Sequence, residues 1–310
     1  MRFILGTRGS QLSLAQTRWV ISELQKKNPE DEFEIMTIKT KGDTDARPLF
    51  TIDQKGIFEK EIDKAVSDGQ IDFAVHSLKD VPSVLMENLS LGCVPAREAV
   101  NDIFIAKNGM TINEIPAGST VGTSSLRRAV QISRMRNDLD VRPIRGNIET
   151  RIKKVQDGQF GAIVLAQAGI NRIGISVPHS KLPIDSFPPS PGQGAIGIVC
   201  RTDDSKTRSM LQRIEHHDTR VAIDAERTLS EFVDSGCRFP VGAYGQVRGD
   251  SVYLEAFAYS IGGDRMIRVE KSGPRSRPRD VGKAVADDLV QNGVQDLAAN
   301  WREKLEEWNK

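Results

Sequence analysis

The chain has 310 residues, a formal net charge of +1, 38% hydrophobic residues and only 5% aromatics. Its length suits two or three domains, and its near-neutral balance argues for no particular partner and supplies no field for a duplex. The longest apolar runs, 162–166 and 195–200, fall far short of the roughly 20 residues a bilayer span needs.

MRFILGTRGS at the N-terminus has no long apolar core and no small-residue cleavage site, so it reads as a first strand (3–7) and not a signal peptide. Ser10 caps a following helix whose apolar face is Leu12, Ala15, Trp19, Val20 and Leu24. FEIMTIKT (33–40) is a second strand. IFEKEIDKAVSDG (57–69) is a helix with Phe58, Ile62, Ala65 and Val66 on one face and Gly69 as its stop. IDFAVHS (71–77) is a third strand, closed by Val81-Pro82, because proline lacks an N–H and pushes the residue before it towards an extended conformation. This alternation predicts a mostly parallel sheet with helices on its faces.

A second unit of the same kind begins near residue 100. STVGT (119–123) is a strand, SSLRRAVQISRMR (124–136) a helix entered through Ser124 or Ser125, and VRPI (141–144) a strand. NIETRIKKVQDG (147–158) is a helix capped by Asn147, and GAIVLA (161–166) a strand. Pro188, Pro189, Pro191, Gly192 and Gly194 mark a loop or hinge before 195–200. From about residue 217 the pattern changes to a small α+β domain. It holds a helix (218–233), the loop DSGCRFP (234–240), strands at 251–260 and 265–272, and a polar helix with Val285, Leu289, Val294 and Leu297 turned inward.

In open α/β sheets, ligands bind outside the carboxyl ends of the strands. Polar clusters stand at three such ends: Thr7, Arg8 and Ser10; His76 to Asp80; and Thr123 to Arg128. Each alone is as readily a cap or a solvated turn. The second unit shifts the balance. Residues 120–155 carry nine basic and three acidic side chains, a net charge of +6. Arginine's planar fork suits carboxylates, and helix starts favour anions, so the cleft should hold a small polyanion. The segment has no Phe, Tyr or Trp on which bases would stack, which sets nucleic acid aside. Asp80, a lone carboxylate among cations, is placed to stabilise a developing cation or relay a proton.

No metal is expected: His216-His217 has no partner at ligand spacing and reads as a solvated turn. Three scattered cysteines give no disulfide framework, and a reducing, cytoplasmic compartment fits them best. Cys93 and Cys200 lie in apolar contexts and should be inert. Cys237 lies in a loop beside Arg238, where a cation lowers a thiol's pKa.

HSLKDVP (76–82), VGTSSLRR (121–128), RGNIETR (145–151), PGQGA (191–195) and GCRFPVGA (236–243), in this order, resemble the porphobilinogen deaminase (hydroxymethylbilane synthase) family. TRGSQLSLAQ (7–16) and KGIFEKE (55–61) fit as well, so the resemblance spans essentially the whole chain. It implies two α/β domains like those of type-II periplasmic binding proteins plus a small C-terminal α+β domain. The boundaries expected are 1–96 with 192–215, then 97–191, then 216–310. It implies a monomer that joins four porphobilinogen molecules head to tail, releases ammonia and frees a linear hydroxymethylbilane. The primer would be a dipyrromethane cofactor bound by a thioether to Cys237, and Asp80 would be the catalytic aspartate. Arg8, Arg127, Arg128, Arg145, Arg151 and Arg172 match the family's carboxylate-binding arginines. Ser10, Lys55, Ser77, Lys79, Thr123, Ser124, Ser125 and Gly146 match its other binding positions.

Two stretches depart from the family's pattern: TIDQKGIF replaces a glycine-rich loop before Lys55, and SGCRFP puts Arg238 after the cysteine, where it would add a contact to a cofactor carboxylate. The competing reading is a non-catalytic, two-lobed binder of a small polyanion, with Cys237 incidental. Such a binder needs the arginines but neither Asp80 nor Cys237.

Overall fold

The computed structural model describes residues 1–41, 59–236 and 240–297, with backbone only at 233–236. Phe58, Lys55, Cys237, Arg238 and the loop at 51–58 lie outside the described residues. The elements follow in chain order: β1 (Arg2–Thr7), α1 (Gln11–Lys27), β2 (Glu32–Thr37), α2 (Lys60–Ser67), β3 (Phe73–Ser77), β4 (Leu89–Cys93) and β5 (Asp102–Ala106). Then come β6 (Thr120–Gly122), α3 (Leu126–Met135), β7 (Asp140–Arg142), α4 (Ile148–Gln156), β8 (Ala162–Ala166), α5 (Gln167–Ile173), β9 (Ser180–Lys181), β10 (Ile196–Arg201) and α6 (Ser205–Leu211). The C-terminal part holds α7 (His217–Gly236), β11 (Val241–Arg248), β12 (Ser251–Tyr259), β13 (Met266–Pro274), α8 (Pro278–Gln291) and α9 (Val294–Leu297).

The described residues fall into two compact units. One comprises 1–41, 59–98 and 192–220, the other 99–191, 221–236 and 240–297. In the first, the sheet order is β2-β1-β3-β10-β4. Strands β1, β2 and β3 run parallel, and β10 enters antiparallel between β3 and β4. In the second, the order is β7-β6-β8-β5-β9, with β6, β7 and β8 parallel and β5 antiparallel to β8. Each sheet is therefore mostly parallel, as expected, with a single strand, β10 or β5, running against the other four. Periodicity reveals the local strand–helix–strand units but not a strand that arrives from 100 residues away in sequence.

Burial explains why β3 is so rigid. Phe73, Ala74 and Val75 are 0–2% exposed, between β1 on one side and β10 on the other. Each large apolar side chain of this kind is worth about 1.5–3 kcal/mol relative to exposure. Phe3 stacks on Phe33 at 5.8 Å and meets Phe73 edge-on at 6.5 Å, closing the same core. Helix α1 differs from expectation. Its buried line is Gln16, Thr17, Val20 and Leu24, and Trp19 is 39% exposed. The helix is turned to bring Gln16 to Ser77, at 2.8 Å, rather than Trp19 to the core.

The C-terminal part is a three-stranded antiparallel meander, β11-β12-β13, covered by α7 and α8. Val285, Leu289, Val294 and Leu297 all lie in its core, as the apolar spacing suggested. Strand β11 had no clear sequence signal, because Gly242 and Gly245 break the pattern. Both are needed for close approach. A Cβ on Gly242 would lie 2.8 Å from Pro188, and one on Gly245 would lie 2.8 Å from the Ala222 carbonyl oxygen.

Helix α8 packs tightly on α7 at Gly282, where a Cβ would lie 2.4 Å from the Ala225 oxygen and 2.8 Å from Thr228 Cβ. Gly282→Ala should therefore separate the helix that leads into the cysteine loop from its neighbour. The expected loss is about 1–3 kcal/mol in urea unfolding; an unchanged midpoint and slope would contradict this packing.

Candidate functional site

In the first unit, β3 ends in a single tight turn, Leu78–Asp80, closed by Val81 N–H donating to the Leu78 oxygen at 3.1 Å. Leu78 is buried and anchors the turn, Lys79 is half-buried, and Asp80 is exposed. Among the described residues the Asp80 carboxylate makes no hydrogen bond or ion pair. An exposed carboxylate on a fixed mount is what this arrangement provides.

Three contacts hold that mount. Leu78 N–H donates to the Ala195 oxygen at 3.0 Å, and Lys79 Nζ donates to Gln193 Oε1 at 3.2 Å. On the other side, Gln16 Nε2 donates to Ser77 Oγ at 2.8 Å. Directly behind the turn, His76 Nε2 meets Asp63 Oδ1 at 3.0 Å, both side chains buried. Ser10 is the N-cap of α1, accepting from Ser13 N–H at 3.2 Å, and Arg8 is half-buried just before it. Its Oγ also donates to Ser13 Oγ at 2.8 Å. The first unit thus brings Arg8, Ser10, Ser77, Lys79 and Asp80 to the strand ends β1 and β3, as the sequence suggested.

In the second unit, Ser125, not Ser124, caps α3, accepting from Arg128 N–H at 3.4 Å. Ser124 Oγ instead donates to the Ile144 oxygen. Thr123, 1% exposed, accepts from Ser125 N–H at 3.2 Å. The first turn of α3 carries Arg127 and Arg128, 6% and 7% exposed. Both converge on Asp102, which is fully buried. Arg127 Nη2 donates to its Oδ2 at 2.7 Å; Arg128 Nη2 and Nε donate to its Oδ1 at 2.6 and 3.1 Å. Arg127 also donates to the Pro188 oxygen at 2.5 Å and Arg128 to the Val164 oxygen at 3.1 Å.

Asn147 caps α4, accepting from Thr150 N–H at 2.9 Å. Gly146 before it has φ +115, a conformation that L side chains rarely adopt, and Arg151 Nε donates to its oxygen at 2.8 Å. Burial, then Arg128, then Arg145 push the Arg151 guanidinium down to about 10; no carboxylate is among the causes. It stays cationic at neutral pH, in a neighbourhood of like charge. Arg127 Nε is buried and has no hydrogen-bond partner among the described residues. A cluster like this is stabilised by a ligand with several carboxylates. Arg172 is half-buried in α5, one residue before that helix ends.

The remaining candidates separate cleanly. Cys93 and Cys200 are buried, and burial raises both thiols, Cys93 strongly, which disfavours the reactive thiolate. His216 caps α7, its Nδ1 accepting from Thr219 N–H at 3.2 Å. Asp102, Gln16 and Gln193 were missed by sequence reasoning. Their partners lie 25, 61 and 114 residues away, and no local spacing marks such pairs.

Comparison with known proteins gives concordant matches. The family model described as porphobilinogen deaminase, dipyromethane cofactor binding domain, matches residues 3–209, and the one described as porphobilinogen deaminase, C-terminal domain, matches residues 221–291. The chain is 60% identical over 310 residues to a probable porphobilinogen deaminase of Nitrosopumilus maritimus, covering 100% of both. It is 43% identical over 302 residues to a porphobilinogen deaminase of Desulforudis audaxviator, covering 96% of this chain and 97% of that one.

Removing the buried carboxylate would take from two neighbouring guanidiniums the charge that they share. Asp102→Ala is therefore expected to lose about 3–5 kcal/mol of stability. Urea unfolding measures it, and a loss below about 1 kcal/mol would show that Asp102 does not neutralise the pair.

Proposed function

The chain belongs to the porphobilinogen deaminase family, and from that membership and the site geometry we propose that it polymerises porphobilinogen. Four molecules are joined head to tail, with release of ammonia, into linear hydroxymethylbilane, a step of haem-type tetrapyrrole biosynthesis. The enzyme works as a cytoplasmic monomer divided as 1–96 with 192–215, 97–191 and 216–310. Its dipyrromethane, attached by a thioether to Cys237, supplies the primer to which pyrroles are added.

The observation that carries this reading is the Asp80 carboxylate: exposed, without a partner among the described residues, on a turn pinned to a buried central strand. Loss of ammonia from porphobilinogen leaves a cationic azafulvene, and the pyrrole that attacks it also becomes cationic. Asp80 stabilises both charges and takes up the proton that must leave the attacked ring. The mount matters because a preorganised carboxylate pays no reorganisation cost as charge develops.

Each porphobilinogen carries an acetate and a propionate. Arg128, Arg145 and Arg151 form the cationic cluster that suits these carboxylates, a reading supported by the burial and like-charge neighbours that lower Arg151. Arg8, just after β1, and Arg172, in α5, act likewise. Arg127, deeply buried on Asp102 and Pro188, contributes mainly through its charge and its Nε–H. Ser10, Lys55, Ser77, Lys79, Thr123, Ser124, Ser125 and Gly146 complete the binding positions. Ser10, Ser124 and Ser125 do so while fixing local backbone.

The test is Asp80→Asn, which keeps the shape and removes the charge. Its rate of ammonia release from porphobilinogen should fall on the order of 10²- to 10⁴-fold, the usual weight of a positioned acid–base group. Mass spectrometry should still find a cofactor-loaded protein. A variant retaining more than about a tenth of wild-type turnover would remove Asp80 from the mechanism.

A further inference from the structure

The segment PGQGA (191–195) does more than return the chain to the first sheet. Gly192, at φ +75, lies so close to the turn that a Cβ would stand 3.1 Å from Lys79 N and 3.3 Å from Leu78 C and Lys79 Cα. Ala195 N–H donates to the Gly192 oxygen at 3.2 Å, making a tight turn, and the Ala195 oxygen accepts from Leu78 N–H. Gln193 sits inside that turn and is fully buried. Its backbone oxygen accepts from Arg97 Nε at 2.8 Å, and Glu98 N–H donates to the Gly194 oxygen at 3.0 Å, so its backbone is fixed. Its side-chain oxygen accepts from Lys79 Nζ at 3.2 Å.

We propose that Gln193 is a positioning residue for the reaction, holding the Lys79 ammonium beside Asp80 so that it receives a carboxylate of porphobilinogen or of the growing chain. This rests on the reading above, in which Lys79 binds ligand carboxylates. The choice of an amide is informative. A lysine ammonium is a flexible point charge with three donors, and a free one loses side-chain entropy when it orders on a ligand. A buried amide oxygen fixes its direction in advance and leaves its positive charge intact. A carboxylate in the same place would fix it equally well but cancel the charge that recruits the ligand.

The experiment compares Gln193→Leu, Gln193→Glu, Lys79→Met and the double variant Gln193→Leu/Lys79→Met in full-length, cofactor-loaded protein. Lys79→Met and Gln193→Glu should raise KM for porphobilinogen about tenfold, the equivalent of one charge-assisted hydrogen bond, with kcat within about threefold. Gln193→Leu should raise it less, and the double variant should match Lys79→Met alone. Independent, multiplying losses in the double variant would make Gln193 merely structural and overturn the inference. If Lys79→Met raises KM but Gln193→Leu does not, this inference falls and the binding role of Lys79 stands. If Lys79→Met leaves KM unchanged, both fall. A second readout covers poor folding of the Leu variant. Acetylation of Lys79 by acetic anhydride, read by peptide mass spectrometry, should be several-fold faster in Gln193→Asn, whose shorter amide cannot reach; an equal rate contradicts the contact.

Discussion

A guanidinium taken out of water must find negative charge, and this constraint organises the second unit. Asp102, at the first residue of β5, lies under the first turn of α3 and is shared by Arg127 and Arg128. One carboxylate cannot balance two guanidiniums. The remaining positive charge is felt at Arg151, which burial and its arginine neighbours depress. Among the described residues, Arg128, Arg145 and Arg151 thus gather in a partly desolvated place. The protein tolerates these arginines and Arg127 because the backbone helps: Pro188, Val164 and Gly146 each lend a carbonyl oxygen. The proposed substrate and primer complete the balance with their acetates and propionates.

The first unit solves a different problem, which is stiffness. On the proposed reading one carboxylate serves successive rings and must stay in one place. The turn at Leu78–Asp80 follows a buried central strand of its sheet and is held from behind by the return segment at 192–195. Gly192 and Gln193 divide that work, one by leaving room for the Lys79 backbone and the other by meeting its ammonium. The rest of the fold supplies the two sheets on which these mounts stand.

Much of this was legible in the sequence because it is local. Ser10, Asn147 and one of the two serines at 124 and 125 announced their helices by type and position. The run 71–75 followed by Val81-Pro82 announced a buried strand and its end. The illegible features all involve partners distant along the chain. Trp19 looked like a core residue until Gln16 claimed the inward face of α1. Gly242 and Gly245 hid β11 because the pressure that selects glycine there comes from Pro188 and Ala222. Asp102 and its strand carried no signal in the sequence reading; only the folded chain shows the carboxylate beneath two arginines. The cysteine loop falls between the end of α7 and Pro240, whose oxygen accepts from Tyr259 N–H at 3.0 Å, and its three central residues lie outside the described structure.

The central claim is that this chain builds its product on a primer it carries covalently. The direct measurement is the intact mass of the purified protein under denaturing conditions, beside that of Cys237→Ser. The account predicts a wild-type mass heavier than the sequence by two pyrrole units, and a variant at the bare polypeptide mass. A wild-type protein that stays at the bare mass, even after incubation with porphobilinogen or hydroxymethylbilane, would contradict it and leave a protein that only binds small polyanions.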